Sequence, residues 1–160
     1  LMGGGFLGHR AFELDLTPIW AEDGETALSS FLFTAVAACP EGPRMILLGG
    51  ELRRLSQTFV GPLTQPLIDL LHIDTAFVGT IGVSDGNGMT TTDPREAQTK
   101  EMVIAHARQV VLMADGTKIG KVSFVRFSSL VHVDVLITDS GADKKELRKL
   151  KKRGIRIISA

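Results

Sequence analysis

The chain has 160 residues, of which 44% are hydrophobic and 22% charged, and its 18 basic residues equal its 18 acidic ones. This composition fits one globular domain with a buried core and excludes a disordered chain. The balanced charge gives no overall field that would attract nucleic acid or a membrane surface, so this segment is not expected to contact DNA itself. No apolar run approaches the roughly 20 residues of a membrane span. Cys39 has no partner for an internal disulfide, so a cytoplasmic location is expected.

From residue 43 onward, short apolar strands are predicted to alternate with amphipathic helices. The predicted strands are 44–48, 75–80, 110–114, 133–138 and 155–159, and the predicted helices are 63–71, 93–107 and 142–153. The middle helix is the clearest, because Asp93 can cap it, Pro94 suits its first position and Glu96 completes a capping-box pattern. This order predicts an α/β fold with a Rossmann-like, mostly parallel sheet that has helices on both faces.

Small, polar or charged residues follow directly on four of the predicted strands. Ligands of parallel sheets bind beyond the carboxyl ends of the strands, where these residues would gather. The sequence therefore predicts a ligand site at this edge. The candidate residues are Gly49, Gly50, Gly79, Thr80, Gly82, Lys100, Asp115 and Lys118, with Asp139 after the fourth strand.

Two lysines suit an anionic ligand. Lys100 shares a helix face with apolar Val103, Ile104 and Ala107, so it should point at the sheet, where it either extends to water or meets an anion. Its replacement by methionine should then cost little stability. Lys118 follows a glycine in a tight turn, whose backbone amides are expected to form an anion-binding nest. The alternative is that Asp115 and the next glycine only end a strand.

The remaining sequence patterns give weaker evidence of function. No metal site, cofactor or catalytic residue is predicted, because the histidines lack ligand spacing and the hydrolase, zinc-protease and Walker lysine-loop motifs are missing. Residues 3–8 match the dinucleotide-binding pattern Gly-x-Gly-x-x-Gly, but they do not follow a predicted strand, so the match is not interpreted as a site. The basic run 144–153 could be imagined on DNA, but Leu147 and Leu150 anchor its inner face, which favours an ordinary solvated helix.

Several segments occur in an order typical of one family. They are ILLGGELRRLSQTFVGP, IDTAFVGTIGVSDGNGMTT, EAQTKEMVIAHARQVVLMADGTK, VDVLITD and RGIRIIS. Together they resemble the C-terminal effector-sensing domain of the DeoR family of bacterial transcription regulators, over residues 27–160. The resemblance implies a ribose-5-phosphate-isomerase-like fold, a phosphorylated sugar or related metabolite as effector, and a DNA-binding winged helix-turn-helix that would precede this chain. Residues 1–26 are then a divergent or truncated start of the domain.

The chain departs from the family in its first third. Family members have a strand followed by an Asp-x-Gly-Thr-Thr phosphate loop, whereas residues 15–17 here offer Asp-Leu-Thr without the glycine that lets amides approach an anion. The isomerases' proton-transfer residues are also replaced. Their positions hold Val78, Ile81, approximately Thr90, and Thr99, and none of these can act as a general base near neutral pH.

The resemblance and these departures predict a non-enzymatic sensor that binds a small-molecule effector. Its contact with DNA is expected only through the preceding domain. A homo-oligomer without membrane contact is expected, since such regulators bind repeated DNA sites. Two alternatives remain open: a diverged sugar-phosphate isomerase and a ligand-free oligomerisation module.

Overall fold

The computed structural model describes residues 48–53 and 58–159. In chain order, its strands are β1 (Glu51–Arg53), β2 (Thr58–Val60), β3 (Ile73–Gly79), β4 (Gly82–Ser84), β5 (Gly88–Thr91), β6 (Ala107–Met113), β7 (Val125–Ser128), β8 (Val135–Thr138) and β9 (Arg156–Ser159). The α-helices are α1 (Gln65–Ile68), α2 (Pro94–His106) and α3 (Lys144–Lys152). Single 3-10 turns lie at Pro62–Thr64, Gly116–Lys118 and Leu130–His132.

A four-stranded parallel sheet is the centre of the described fold, with the spatial order β3-β6-β8-β9. Two of its three connections contain the helices α2 and α3. The strand order steps in one direction only, so right-handed crossovers place these helices on the same face. The predicted α/β fold with a parallel sheet is confirmed. Helices on the second face remain a prediction.

The main core lies between this sheet and the two helices. Strand residues such as Val78, Leu112 and Leu136 are almost fully buried there, and Ile104 of α2 and Leu150 of α3 pack into the same cluster. The period-two alternation of strands sends the neighbouring side chains to the other face. On that face Phe77 is 60% exposed.

Helix α2 begins where its sequence predicts. The Asp93 side chain accepts hydrogen bonds from the backbone amides of Arg95 and Glu96, and Pro94 occupies the first turn. An aspartate at this position satisfies amides that have no partner within the helix, and it suits the positive end of the helix dipole. Helix α3 begins in the same way, with Asp143 accepting from the amide of Lys145.

A second, antiparallel sheet was not expected from the sequence. Its order is β4-β5-β7, and the segment SDGNG (residues 84–88) contains the turn that joins β4 to β5. The strands β4 and β5 are buried throughout and show no polar–apolar alternation, and β7 alternates over only four residues, which is too short a signal to predict a strand. The sheet packs on the main domain through contacts of β5 and β7 with α2.

The other predicted elements differ in extent. The predicted helix 63–71 is reduced to a 3-10 turn and the four-residue α1, with Pro66 in its first turn as expected. The segments 1–26 and 15–17 and the predicted strand 44–48, apart from Leu48, lie outside the described residues. None of the helices in the described ranges is long and apolar enough to cross a membrane.

Candidate functional site at the carboxyl ends of the strands

Neighbouring strand ends form a polar edge, as predicted. Gly79 of β3 pairs with Met113 of β6, and β8, which ends at Thr138, lies on the other side of β6. The loop after β6 is bonded to the loop after β8, because the Gly116 amide donates to the Asp139 carboxylate at 2.7 Å. We call the loops 79–82, 114–121 and 139–141 the rim.

The turn from Asp115 to Lys118 is organised around the Asp115 carboxylate. This group accepts hydrogen bonds from the amide and the hydroxyl of Thr117, and Lys118 Nζ lies 3.3 Å from Asp115 Oδ2. Burial of the carboxyl group opposes its ionisation, but the Thr117 hydrogen bonds and the Lys118 charge outweigh burial and lower its pKa. Asp115 is therefore an anion near neutral pH and orients Lys118.

The amides of this turn are not open to a ligand, contrary to the predicted nest. The Gly116 amide donates to Asp139, the Thr117 amide to the Asp115 side chain, and the Lys118 amide to the Asp115 carbonyl. Two carboxylates of the chain thus occupy the position expected for an external anion. The arrangement offers carboxylate oxygens and one ammonium group to a ligand, which suits hydroxyl groups as well as an anion.

The loop after β3 forms a closely packed wall of the rim. The Thr80 hydroxyl is buried and lies 2.8 Å from the Gly82 carbonyl and 2.9 Å from the Thr90 carbonyl. Only glycine fits at position 82, because a Cβ atom there would lie 2.7 Å from the Lys121 carbonyl oxygen. The loop 114–121 is held against this wall by the amide of Gly120, which donates to the Val83 carbonyl. Thr80 and Gly82 therefore shape the rim, and their hydrogen-bonding groups are largely committed within it.

Lys100 points inward, as predicted, but it meets an anion of its own helix. Its Nζ lies 2.8 Å from Glu96 Oε1, and the two side chains are 15% and 3% exposed. The ammonium group also lies 5.3 Å from the centre of the Phe127 ring, a cation–π distance. Arg53 Nη1 lies 3.6 Å from the other Glu96 oxygen. We call Arg53, Glu96, Lys100 and Phe127 the Glu96 cluster. Whether Lys100 also reaches a ligand remains a prediction.

The two glycines near the start of the described chain belong to a third region. Gly49 and Gly50 have positive φ angles of 74° and 116°, and a Cβ atom on Gly50 would lie 2.9 Å from the Val60 carbonyl oxygen. They pack on the β1–β2 hairpin, whose following residue Gly61 donates through its amide to Thr99 of α2. The eight predicted residues are thus distributed over the rim, the Glu96 cluster and this hairpin.

The structure shows how Asp139, predicted at this edge, organises the rim: its carboxylate accepts from the Gly116 amide. Thr138, which sequence reasoning left out, lies fully buried at the end of β8, and its hydroxyl has no hydrogen-bond partner among the described residues. Glu96 was interpreted only as a capping residue, although its spacing of four residues from Lys100 is the signal of an ion pair.

These features describe an α/β domain with a polar edge at the carboxyl ends of its parallel strands. Residues 29–140 match the family model described as the DeoR C terminal sensor domain. The chain therefore belongs to the DeoR family, and the resemblance predicted from its motifs is confirmed.

Curated relatives agree with this assignment. The chain is 34% identical over 124 residues to the HTH-type transcriptional regulator GlpR of Haloferax volcanii, covering 78% of this chain and 49% of that protein. It is 38% identical over 109 residues to the lactose phosphotransferase system repressor of Streptococcus mutans, covering 68% and 43%. It is 28% identical over 138 residues to the HTH-type transcriptional repressor GlcR of Bacillus subtilis, covering 86% and 53%. The chain spans about half the length of these relatives. They are regulators and repressors, not enzymes, and the predicted regulatory class is confirmed.

Proposed function

We propose that this chain is the effector-sensing part of a transcription regulator, and that its rim binds a phosphorylated sugar. In the cell, occupancy of the rim would be passed to a DNA-binding domain that precedes the chain. Effector binding would shift the regulator between two conformational states, and the size of this shift is limited by the difference in effector affinity between those states. We further propose a cytoplasmic homo-oligomer as the working form.

The observation that carries the proposal is the Asp115 turn. It places an oriented lysine beside two carboxylates at the edge where parallel sheets bind ligands. Carboxylates accept hydrogen bonds from sugar hydroxyls, and Lys118 can pair with a phosphate oxygen. One relative supports a sugar effector by name, since it is a lactose phosphotransferase system repressor.

The rim alone does not supply a phosphate nest, since its amides are bonded within the chain. We therefore assign the carboxylates to the sugar hydroxyls and Lys118 to the charged end of the effector. This assignment predicts that both the sugar and the phosphate contribute to affinity. A neutral sugar and inorganic phosphate should each bind more weakly than the sugar phosphate.

Calorimetry of the 160-residue chain against pentose and hexose phosphates, with the matching neutral sugars, tests the proposal. At least one sugar phosphate should bind, and Lys118→Gln should weaken it about tenfold, or about 1.4 kcal/mol. Lys151→Gln is the matched control, because this exposed lysine lies on α3, outside the rim, and forms no ion pair with the described residues. Equal affinity for the neutral sugar, or equal effects of the two substitutions, would refute the assignment of Lys118.

A further inference from the structure

Helix α3 and its last flanking residue carry most of their charge with one sign. Seven of the ten residues 144–153 are lysine or arginine, and the only acidic residue among them is Glu146. The whole chain has a formal net charge of zero. Its positive charge is therefore concentrated on this helix and offset elsewhere.

Four of these cations form a row on the side away from the core. Lys145, Arg148, Lys149 and Lys152 are exposed and spaced at i, i+3, i+4 and i+7, whereas Leu150 is 1% exposed on the opposite side. A rise of 1.5 Å per residue gives the row a length of about 10 Å. We call these four residues the basic row.

Few of the helix charges are neutralised. Lys149 Nζ lies 2.6 Å from Glu146 Oε1, and Arg153 Nε donates to Asp85 Oδ1 at 2.8 Å. Lys144, Lys145, Arg148, Lys151 and Lys152 form no ion pair with any residue in the described ranges. The row therefore presents net positive charge to its surroundings.

This arrangement works against the helix itself. Like charges three and four residues apart repel each other, and Lys144 and Lys145 lie at the positive end of the helix dipole, where cations are unfavourable. The ends of the helix otherwise follow the usual pattern, with Asp143 as its cap, Glu146 in its first turn and three lysines in its last turn. The unusual feature is the row of like charges along its exposed side, which no ion pair among the described residues offsets at Lys145, Arg148 and Lys152.

Basic groups continue beyond the end of α3. A cavity of about 440 Å³ separates this end from the β4–β5 turn, and both Arg126 and Arg153 line it. These arginines come from β7 and from the end of α3, respectively. Asp85, which also lines the cavity, pairs with Arg153, whereas Arg126 forms no ion pair with the described residues.

We propose that the basic row binds the phosphate backbone of duplex DNA. A duplex carries one negative charge per roughly 1.7 Å of axis, so about 10 Å of DNA offers more phosphates than the row has cations. The family acts on DNA, which brings the partner near this domain. The contact adds sequence-independent affinity and does not depend on the rim. It revises the interpretation of this helix as an ordinary solvated surface, because the balanced total charge conceals a local excess.

The test is fluorescence anisotropy of the 160-residue chain with a labelled random-sequence duplex over a range of salt concentrations. We expect binding at low salt that weakens at least fivefold in Lys145→Gln/Lys152→Gln, with the logarithmic salt dependence reduced by about two. The matched control, Arg108→Gln/Lys121→Gln, removes two exposed cations outside α3 and should change affinity less than twofold. Because the substitutions remove repulsion between like charges on α3, the melting temperature of Lys145→Gln/Lys152→Gln should equal or exceed that of the parent chain. This measurement separates lost binding from lost folding.

Two results would overturn the proposal. One is equal loss of duplex binding in both double variants, or no duplex binding by the parent chain at low salt. The other is competition by polyglutamate that is as strong as competition by unlabelled duplex of equal charge. That result would assign the row to an acidic protein partner instead of DNA.

Discussion

The structure agrees with the predicted inward position of Lys100 but changes the stability effect that we expect from its replacement by methionine. The helical spacing placed it on the inward face, and the structure agrees, but its ammonium group is paired with the buried Glu96 carboxylate. The stability of a buried charge depends on keeping its partner, because an uncompensated charge in a poorly solvated place is costly. We therefore expect methionine at position 100 to lower the stability of the fold, instead of costing little as the sequence alone suggested.

We expect Lys100→Met to lower the free energy of unfolding by about 2 kcal/mol, because the buried Glu96 carboxylate loses its nearer cation. Arg53, at 3.6 Å, is then the remaining cation near Glu96. Urea denaturation measures this change. The double variant Glu96→Gln/Lys100→Met should recover part of the loss, because no buried carboxylate then lacks its partner. A single variant as stable as the parent chain would show that the Glu96 cluster contributes nothing to folding.

Asp115 makes stability depend on acid pH. Burial opposes its ionisation, but the Thr117 hydrogen bonds and Lys118 give it a lower pKa in the folded state than the ordinary 3.8. A depressed carboxyl pKa stabilises the fold above the ordinary value, and this contribution is lost as pH falls through the folded value. Stability should therefore decline as pH falls below about 4.

The variant Asp115→Asn should show a flatter loss of stability over this acid range, measured by urea denaturation at several pH values. Part of the slope should remain, because the pKa of Asp93 is also lowered: burial opposes its ionisation, and hydrogen bonds from Arg95 and Glu96 prevail. An unchanged slope in Asp115→Asn would contradict the role given to the turn.

At the scale of elements, the sequence predicted what depends on local signals. The Asp-Pro start of α2 and the apolar runs of β3, β6 and β8 are such signals, and these elements lie where expected. The strands β4, β5 and β7 have only three or four residues each, and the pairing of β5 with β7 joins residues more than 30 positions apart. The Gly116–Asp139 bond could not be foreseen either, since it joins loops 23 residues apart.

The two helix caps provide a matched comparison at this scale. Asp143→Ala should cost about 1 kcal/mol, because Asp143 caps α3 and forms no ion pair with the described residues. Asp93→Ala should cost more, about 2 kcal/mol, because Asp93 also contacts Arg53 at 3.2 Å and Arg95 at 3.4 Å. Urea denaturation of both variants measures the difference. Equal losses would mean that the arginine contacts of Asp93 add no stability.

At the scale of the whole molecule, the chain places two different surfaces on one α/β scaffold. The rim lies at the carboxyl ends of β3, β6 and β8, and the basic row lies on the outer side of α3. The family was predictable because several motifs keep their order along the chain, and the family model over residues 29–140 confirms it. The contacts within the rim were not predictable, because they join loops that are distant along the chain.

The most direct test of the central claim is a map of amide chemical shifts on the isotope-labelled chain titrated with a sugar phosphate that binds in calorimetry. We expect the largest shifts in residues 79–82, 114–121 and 139–141, and the same titration of Lys118→Gln should need about tenfold more ligand. Lys151→Gln, which alters a lysine outside the rim, should titrate like the parent chain. Shifts confined to the cavity beside Arg126 and Arg153, with the rim unchanged, would contradict the assignment of the effector site.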